Sequence, residues 1–426
     1  MIYAQGTFCI LGSLCEKVKG VMITEDTMGK KHEFFTARYA LIQGFYWASY
    51  CAFYSYAAVF LGDRGFSSSA IGILFAVANI FAVIMQPIVA AEVDKSDKIS
   101  LRGIVSVMIL IISALALCMC IVNSITWTIP ILFVLIYMIL QTVQPLNSSI
   151  GMECENNMNK INFGLARGTG SCIFAICSVL LGLYLRKFEV RTLPVIYLIL
   201  FILEFISVFT FRYKDNRQSS HKNVGDGIKY TTEEAHTGLI SFARCYPRFM
   251  LFLAGIIFVF FTHTMINNFA INMLENVGGN STDMGMALGL AAFLELPAMA
   301  MFATIRKRTG VSKLLILSSI FFSIKHVLLY LAKSAGVVIG LHALQMPSYA
   351  VFLPASIYYV NAIMQKKDAV KGQAYVTIAI TIGGIFSSLI GGHIIDQFGF
   401  NTLMFLGMIM SIIGSVLMIV ATDNVK

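Results

Sequence analysis

Phe163-Gly164-Leu165-Ala166-Arg167-Gly168-Thr169-Gly170-Ser171-Cys172-Ile173-Phe174 opens an apolar run that reaches Leu185 and places an arginine near its start. A helix needs roughly 20 apolar residues to cross about 30 Å of hydrocarbon, and a central arginine costs about 2.5–3.5 kcal/mol on insertion scales. The stretch therefore reads as a membrane-spanning helix in which Arg167 needs water or an acidic partner. Gly164, Gly168, Gly170 and Ser171 allow a neighbouring helix to approach closely. Phe174, two turns further on, puts a ring on the same face as the guanidinium. A guanidinium with an aromatic beside it suits recognition of a polar, ring-shaped solute.

The rest of the chain extends this reading. Of its 426 residues, 58% are hydrophobic and 12% charged, too apolar for a soluble protein. Apolar runs predict an all-α membrane protein with twelve transmembrane helices, over residues 39–61, 70–91, 103–122, 127–151, 163–185, 193–211, 249–274, 284–305, 314–331, 337–364, 374–395 and 403–421. An even number puts both termini on one side. That side holds 24 of the 31 Lys and Arg, the other face holds five, and Arg167 and Lys325 lie inside spans. By the positive-inside rule both termini are cytoplasmic, in the cell membrane. The bias also accounts for the net charge of +9 without a nucleic-acid partner.

Residues 1–38 read as a cytosolic tail, 39–211 as a first six-helix half, 212–248 as a cytosolic linker, 249–421 as a second half and 422–426 as a tail. Met22 and Met28 precede the first span, and residues 1–27 are expected to be dispensable. The linker carries seven basic and four acidic residues and turn formers such as Ser219, Asn223 and Gly225. Each half has a basic, turn-forming loop after its second span, Glu92-Val-Asp94-Lys95 and Arg306-Lys307-Arg308-Thr-Gly310. An echo, Gly391-Gly392-His-Ile-Ile-Asp396-Gln-Phe-Gly399, follows the eleventh span. Repeats of this kind mark transporters whose site lies between the halves at mid-membrane. The nine cysteines are scattered without metal-ligand spacing and read as small packing residues. No phosphate loop, metal site, cofactor motif or nucleophile with a base is present in the sequence, so an enzyme is not expected.

These residues resemble the major facilitator superfamily, and within it the oligosaccharide/proton symporter group typified by lactose permease. Gln86-Pro87 followed by Asp94-Lys95 is similar to the group's loop between helices two and three, with Ala90 in place of the usual glycine. Phe163-Gly164-Leu-Ala-Arg167 is similar to the helix-five motif whose arginine binds sugar, with Phe174 where that group has a stacking tryptophan. The resemblance implies the major facilitator fold. It also implies that Glu295 corresponds to a substrate-binding glutamate, Lys325 to a coupling arginine, and Asn267 and Asn268 to paired glutamines. The group's proton-handling histidine and glutamate fall on Gln345 and Ser348, and its helix-eleven lysine on Gly383.

Four ionised residues lie deep in spans: Arg167, Glu204, Glu295 and Lys325. At about 2.5–3.5 kcal/mol each, retaining them needs a reason. One reason is interhelical ion pairing that fixes packing. The other is solute binding by Arg167, Phe174, Asn267, Asn268, Glu295 and Gln345, with proton coupling by Glu295, Lys325, His263 or Glu204. Glu295 and Lys325, on neighbouring helices, are expected to pair. The first-span aromatics around Phe45, Trp47 and Tyr54 are expected mostly to pack or face lipid, with one or two of the tyrosines lining a cavity. Asp94, Lys95, Arg308 and Gly310 mark loops that move with conformation. The chain is thus expected to be a monomeric secondary transporter of a small polar solute, a proton-coupled sugar or glycoside symporter. A nucleoside or aromatic-acid symporter is the alternative within transport, and a non-transporting membrane sensor or scaffold the alternative outside it.

Overall fold

The computed structural model of the chain describes residues 34–95, 100–122, 127–156, 161–212 and 239–423. Among these, eleven helices are long and apolar enough to cross a membrane. The twelfth crossing is α1, which runs over residues 34–50, passes through a π-helical turn at Cys51–Ser55 and continues as Ala57–Asp63. This change of register divides the first span into pieces. The others in the first half are α2 (Ser68–Lys95), α3 (Leu101–Ile121), α4 (Thr128–Asn156), α5 (Phe163–Leu185) and α6 (Leu193–Thr210). A short helix, Leu239–Cys245, leads into α7, formed by Pro247–Asn268 and Ala270–Glu275. α8 (Ser281–Thr309) and α9 (Val311–Leu331) follow, then α10 (Ala335–Ile363), α11 (Lys366–Phe398) and α12 (Phe400–Ala421).

Local chemistry sets where helices start and stop. The Asn162 side chain accepts from the Leu165 amide at 2.9 Å, beginning α5 one turn before Arg167. Asn280 and Asp283 close a capping box on α8. Gly310 separates α8 from α9 with φ of 83°, a left-handed backbone that a side chain disfavours. Arg308 lies exposed in the last turn of α8, where a cation complements the helix dipole. α10 is the least regular: Ala335–Leu341 tightens into a 3-10 turn at His342–Gln345, widens into a π turn at Met346–Ala350 around Pro347, and resumes as Val351–Ile363. A proline cannot donate its backbone hydrogen bond, so the break falls there.

Packing follows from small residues and hydroxyls, since between membrane helices apolar burial supplies no drive of its own. α9 and α12 are joined by Ser323 donating to Ser415 at 2.7 Å and Ser415 donating to the Ser319 carbonyl at 2.6 Å. The first half meets the second chiefly through α5 against α8 and α2 against α11. On the face away from the termini this contact is tight. A Cβ on Gly72 would lie 2.1 Å from the Ser388 carbonyl oxygen, and one on Gly392 2.1 Å from that of Ser68. The first amides of α2, Ser68 and Ser69, donate to the Asp396 carboxylate of α11 at 3.0 and 2.7 Å. A carboxylate at a helix N-terminus is favoured by the exposed amides and the dipole.

Three expectations meet this fold differently. Of the α1 aromatics, Tyr46, Phe53 and Tyr56 are buried and Trp47, Tyr50 and Tyr54 line a cavity, while Phe34 is exposed and Phe45 lies in an apolar groove on the outer side. Asp94 and Lys95 close α2, but their side chains lie outside the described residues, as do Asp97, Lys98, residues 1–33 and residues 213–238. Among the described residues all seven cysteines are free.

Candidate functional site

Between the halves lies a cavity of about 400 Å³, walled by α1, α2, α4 and α5 on one side and α7, α8, α10 and α11 on the other. Its volume is within the range of small-molecule sites. Arg167 of α5 faces it, with its guanidinium carbon 4.2 Å from the centre of the Trp47 ring and one nitrogen donating to the Ser171 hydroxyl at 3.3 Å. Phe174 meets Trp47 edge to face at 6.4 Å. The glycines around Arg167 leave room for this stack: a Cβ on Gly170 would lie 2.5 Å from the Trp47 ring. Of the two partners expected, water or an acid, the acid is not in contact, for no ion pair to Arg167 forms among the described residues. The ring face of Trp47 takes that place, an interaction worth about 2 kcal/mol when desolvated.

Across the cavity, Gln345 joins two charges. Its side-chain oxygen accepts from the Lys325 ammonium at 2.7 Å, and its amide nitrogen donates to the Glu295 carboxylate at 3.1 Å. The direct Glu295–Lys325 pair expected from helix adjacency is therefore replaced by a chain of three residues from α8, α10 and α9. The 3-10 turn of α10 ends at Gln345 and inserts it between the charges. Glu295 and Gln345 line the cavity, whereas Lys325 is buried behind Gln345. Ser348 turns inward, donating to the Leu344 carbonyl at 2.6 Å. Gly383 is where α11 meets α7: a Cβ there would lie 2.6 Å from the Ile257 carbonyl oxygen.

The other predicted residues divide. His263 faces the cavity, stacks on Tyr349 with centroids 4.8 Å apart, and has Nε2 3.3 Å from the Asn267 amide. Asn267 is also on the wall. Asn268 is not: it accepts from the Tyr54 hydroxyl at 2.6 Å and donates to Ser388 at 2.8 Å. Successive helix residues point about 100° apart, so one asparagine faces solute space and the next ties α1 and α11 to α7. Glu204 lies away from the cavity, wholly buried inside the first half.

A further polar strip, not among the residues expected from the sequence, lies on α2 and α4. Gln141 donates to the Tyr137 hydroxyl at 2.9 Å, which donates to Asn79 at 3.4 Å, and all three line the cavity. The signal was available in the sequence, since Asn79 and Gln141 interrupt apolar runs. Amides buried in such runs need partners as charges do.

Comparison with known proteins agrees with this architecture. The model of the MFS_1 like family matches residues 37–406. A candidate sugar efflux transporter of Deinococcus radiodurans is 25% identical over 158 residues, 37% of this chain and 40% of that protein. The match thus spans less than half the length of that relative. Among solved structures, a mutant of the nucleoside transporter NupG superposes with a TM-score of 0.77 at 12% identity, over 91% of this chain and all of that one. A D-xylose-proton symporter gives 0.66 at 12% identity, over 91% of this chain and 97% of the other. At such identities the likeness is one of fold.

Proposed function

The chain belongs to the MFS_1 like family of membrane transporters, and we propose that it carries a sugar or glycoside with protons, by alternating access, across the cell membrane. The observation that carries this reading is the pair of facing walls: Arg167 stacked on Trp47, opposite Glu295 held by Gln345. A hydroxylated ring offers both acceptors and donors. The guanidinium presents several N–H donors in a planar fork, and the carboxylate accepts from hydroxyls. Trp47, Phe174 and Tyr50 supply apolar faces for the ring itself. The relative in Deinococcus radiodurans, a candidate sugar efflux transporter, is consistent with this solute class.

In this reading Glu295 is the coupling carboxyl, and Lys325 acts on it through Gln345. Motion of α10 against α8 or α9 lengthens or breaks the chain of contacts, changing how strongly the ammonium favours the carboxylate form. In the same reading the termini are cytoplasmic, as the charge bias leads one to expect, which puts the seal at Gly72, Gly392 and Asp396 on the outer face.

A second reading is favoured by the tyrosines in the cavity, Tyr50, Tyr54, Tyr137 and Tyr349: a nucleoside, whose base would stack where the sugar reading places only a pyranose face. An aromatic acid fits less well, because Lys325 stands behind Gln345 and leaves Arg167 as the cation on the cavity wall. A thermal-shift screen of the purified protein against sugars, nucleosides and aromatic acids tests these readings. A ligand at 100 times its dissociation constant stabilises by about 2.7 kcal/mol. Sugars alone should stabilise; a response confined to nucleosides transfers the assignment to the second reading, and no response from any class sinks both.

A further inference from the structure

Glu204 on α6 is wholly buried, and no ion pair to it forms among the described residues. Its Oε1 accepts from the Asn147 amide of α4 at a long 3.4 Å, and its Oε2 has no partner. The Asn147 oxygen is likewise unpartnered and buried, and so is the hydroxyl of Ser49 on α1, which faces the same carboxyl. Three helices thus bring together a carboxylate held by one long hydrogen bond, an amide whose oxygen has no donor and a hydroxyl without a partner. Native interiors rarely leave such groups unsatisfied, and a buried carboxylate without a counter-charge is the costliest of them.

Among the described residues no cation from the surrounding elements pairs with it: Arg38 of α1 donates to the Thr210 carbonyl at the end of α6, at 2.7 Å. From α1 the Tyr46 phenol is near enough to interact with the carboxyl, and its hydroxyl donates to the Leu140 carbonyl at 3.2 Å. α3 packs along α6, but its Arg102 donates to the Phe209 and Phe211 carbonyls at the end of α6, at 3.4 and 3.1 Å. α4 contributes Asn147 and, nearer its middle, Tyr137, which belongs to the cavity wall.

We propose that Glu204, Asn147 and Ser49 form a binding site for a monovalent cation, a proton or Na⁺, separate from the solute cavity. Hard oxygen ligands of this kind suit such ions. Either cation neutralises Glu204, and Na⁺ would in addition give the amide and hydroxyl oxygens a partner. The site shares α1 with the solute cavity: Trp47 stacks on Arg167 and Ser49, two residues on, faces Glu204. Ser49 also lies just before the π turn at Cys51–Ser55. Occupancy would therefore set the rotation of the helix that carries the solute platform.

The test uses the full-length protein, purified in detergent, with no solute, so its outcome is independent of which solute is carried. Thermal stability is measured against Na⁺ at fixed pH, with ionic strength held by N-methylglucamine chloride, and against pH in sodium-free buffer. Glu204→Gln is isosteric and neutral and should fold without a cation. A saturable rise in melting temperature with Na⁺, absent in Glu204→Gln, identifies a sodium site. If Na⁺ has no effect but the native protein gains stability over Glu204→Gln as pH falls, the cation is a proton, because a folded state that binds protons more tightly is stabilised by them. Equal responses of the native protein and Glu204→Gln in both titrations overturn the proposal. Should Glu204→Gln fail to fold, Ser49→Ala serves instead. It is expected to shift the Na⁺ or proton midpoint at least tenfold, and an unchanged midpoint also overturns the assignment.

Discussion

Arg167 was singled out from sequence by the cost of its charge, yet the structure balances it with the face of Trp47 rather than with a carboxylate. Lysine retains the charge but cannot lay a planar group on the ring or present a fork. Arg167→Lys should therefore weaken solute binding about tenfold or more, since 1.4 kcal/mol is tenfold, while the melting temperature without solute stays near that of the native protein. Equal affinity measured by calorimetry in the folded variant would assign Arg167 to packing. Gln345 behaves differently, because its amide satisfies two buried charges at once. Gln345→Leu strands both and should lose about 1–3 kcal/mol of stability per group left unsatisfied, visible as an earlier unfolding transition. Glu295→Gln should abolish solute-driven proton uptake in proteoliposomes while some downhill solute exchange persists. Full uptake in that variant would move the coupling role to His263 or Glu204.

The join between α2 and α11 shows what a glycine and a carboxylate do in one element pair. Gly72 and Gly392 let two backbones come closer than any side chain permits, and Asp396 then reaches the first amides of α2. Hydrogen bonds to a charged group are worth about 1.5–3 kcal/mol, so Asp396→Ala should shift the balance away from the sealed state by roughly tenfold or more. Spin labels placed in the α1–α2 and α11–α12 turns should report a longer, broader distance distribution in Asp396→Ala. An unchanged distribution would show that the glycine contact alone holds the seal. The motif around Gly391 and Asp396 was visible in sequence as a repeat of the basic loops, but its partner was not. Nothing along the chain tells that α11 ends against the start of α2, more than 300 residues away in sequence.

For the whole molecule, the expectation that residues 1–27 are dispensable concerns a segment outside the described residues. A chain started at Met28 should insert in the membrane and bind solute as the full chain does; failure to insert, read by membrane fractionation, would refute it. The division into two halves is the larger matter, because the cavity draws on both. Residues of α5 in the first half and of α8 and α10 in the second face one space, so under the proposed alternating access a rocking of the halves would open or close that space without rebuilding either wall.

The sequence by itself determined the solvent and the element type. Apolar runs long enough to span a bilayer must be helices, because hydrocarbon offers no partner for a free backbone group. The skewed charges gave an expected orientation for the same chain-local reason, and the buried charges flagged Arg167, Glu295 and Lys325 by their cost alone. Partners were beyond it, since they come from helices distant in the chain and depend on rotation about each helix axis. Only the tertiary structure set Trp47 under Arg167, placed Gln345 between Glu295 and Lys325, turned Asn268 away from the cavity while leaving Asn267 on its wall, and sealed Glu204 among Asn147 and Ser49. At about 100° per residue a single step along a helix exchanges one neighbour for another, and the π turns in α1 and α10 shift that phase at the places where the site is built.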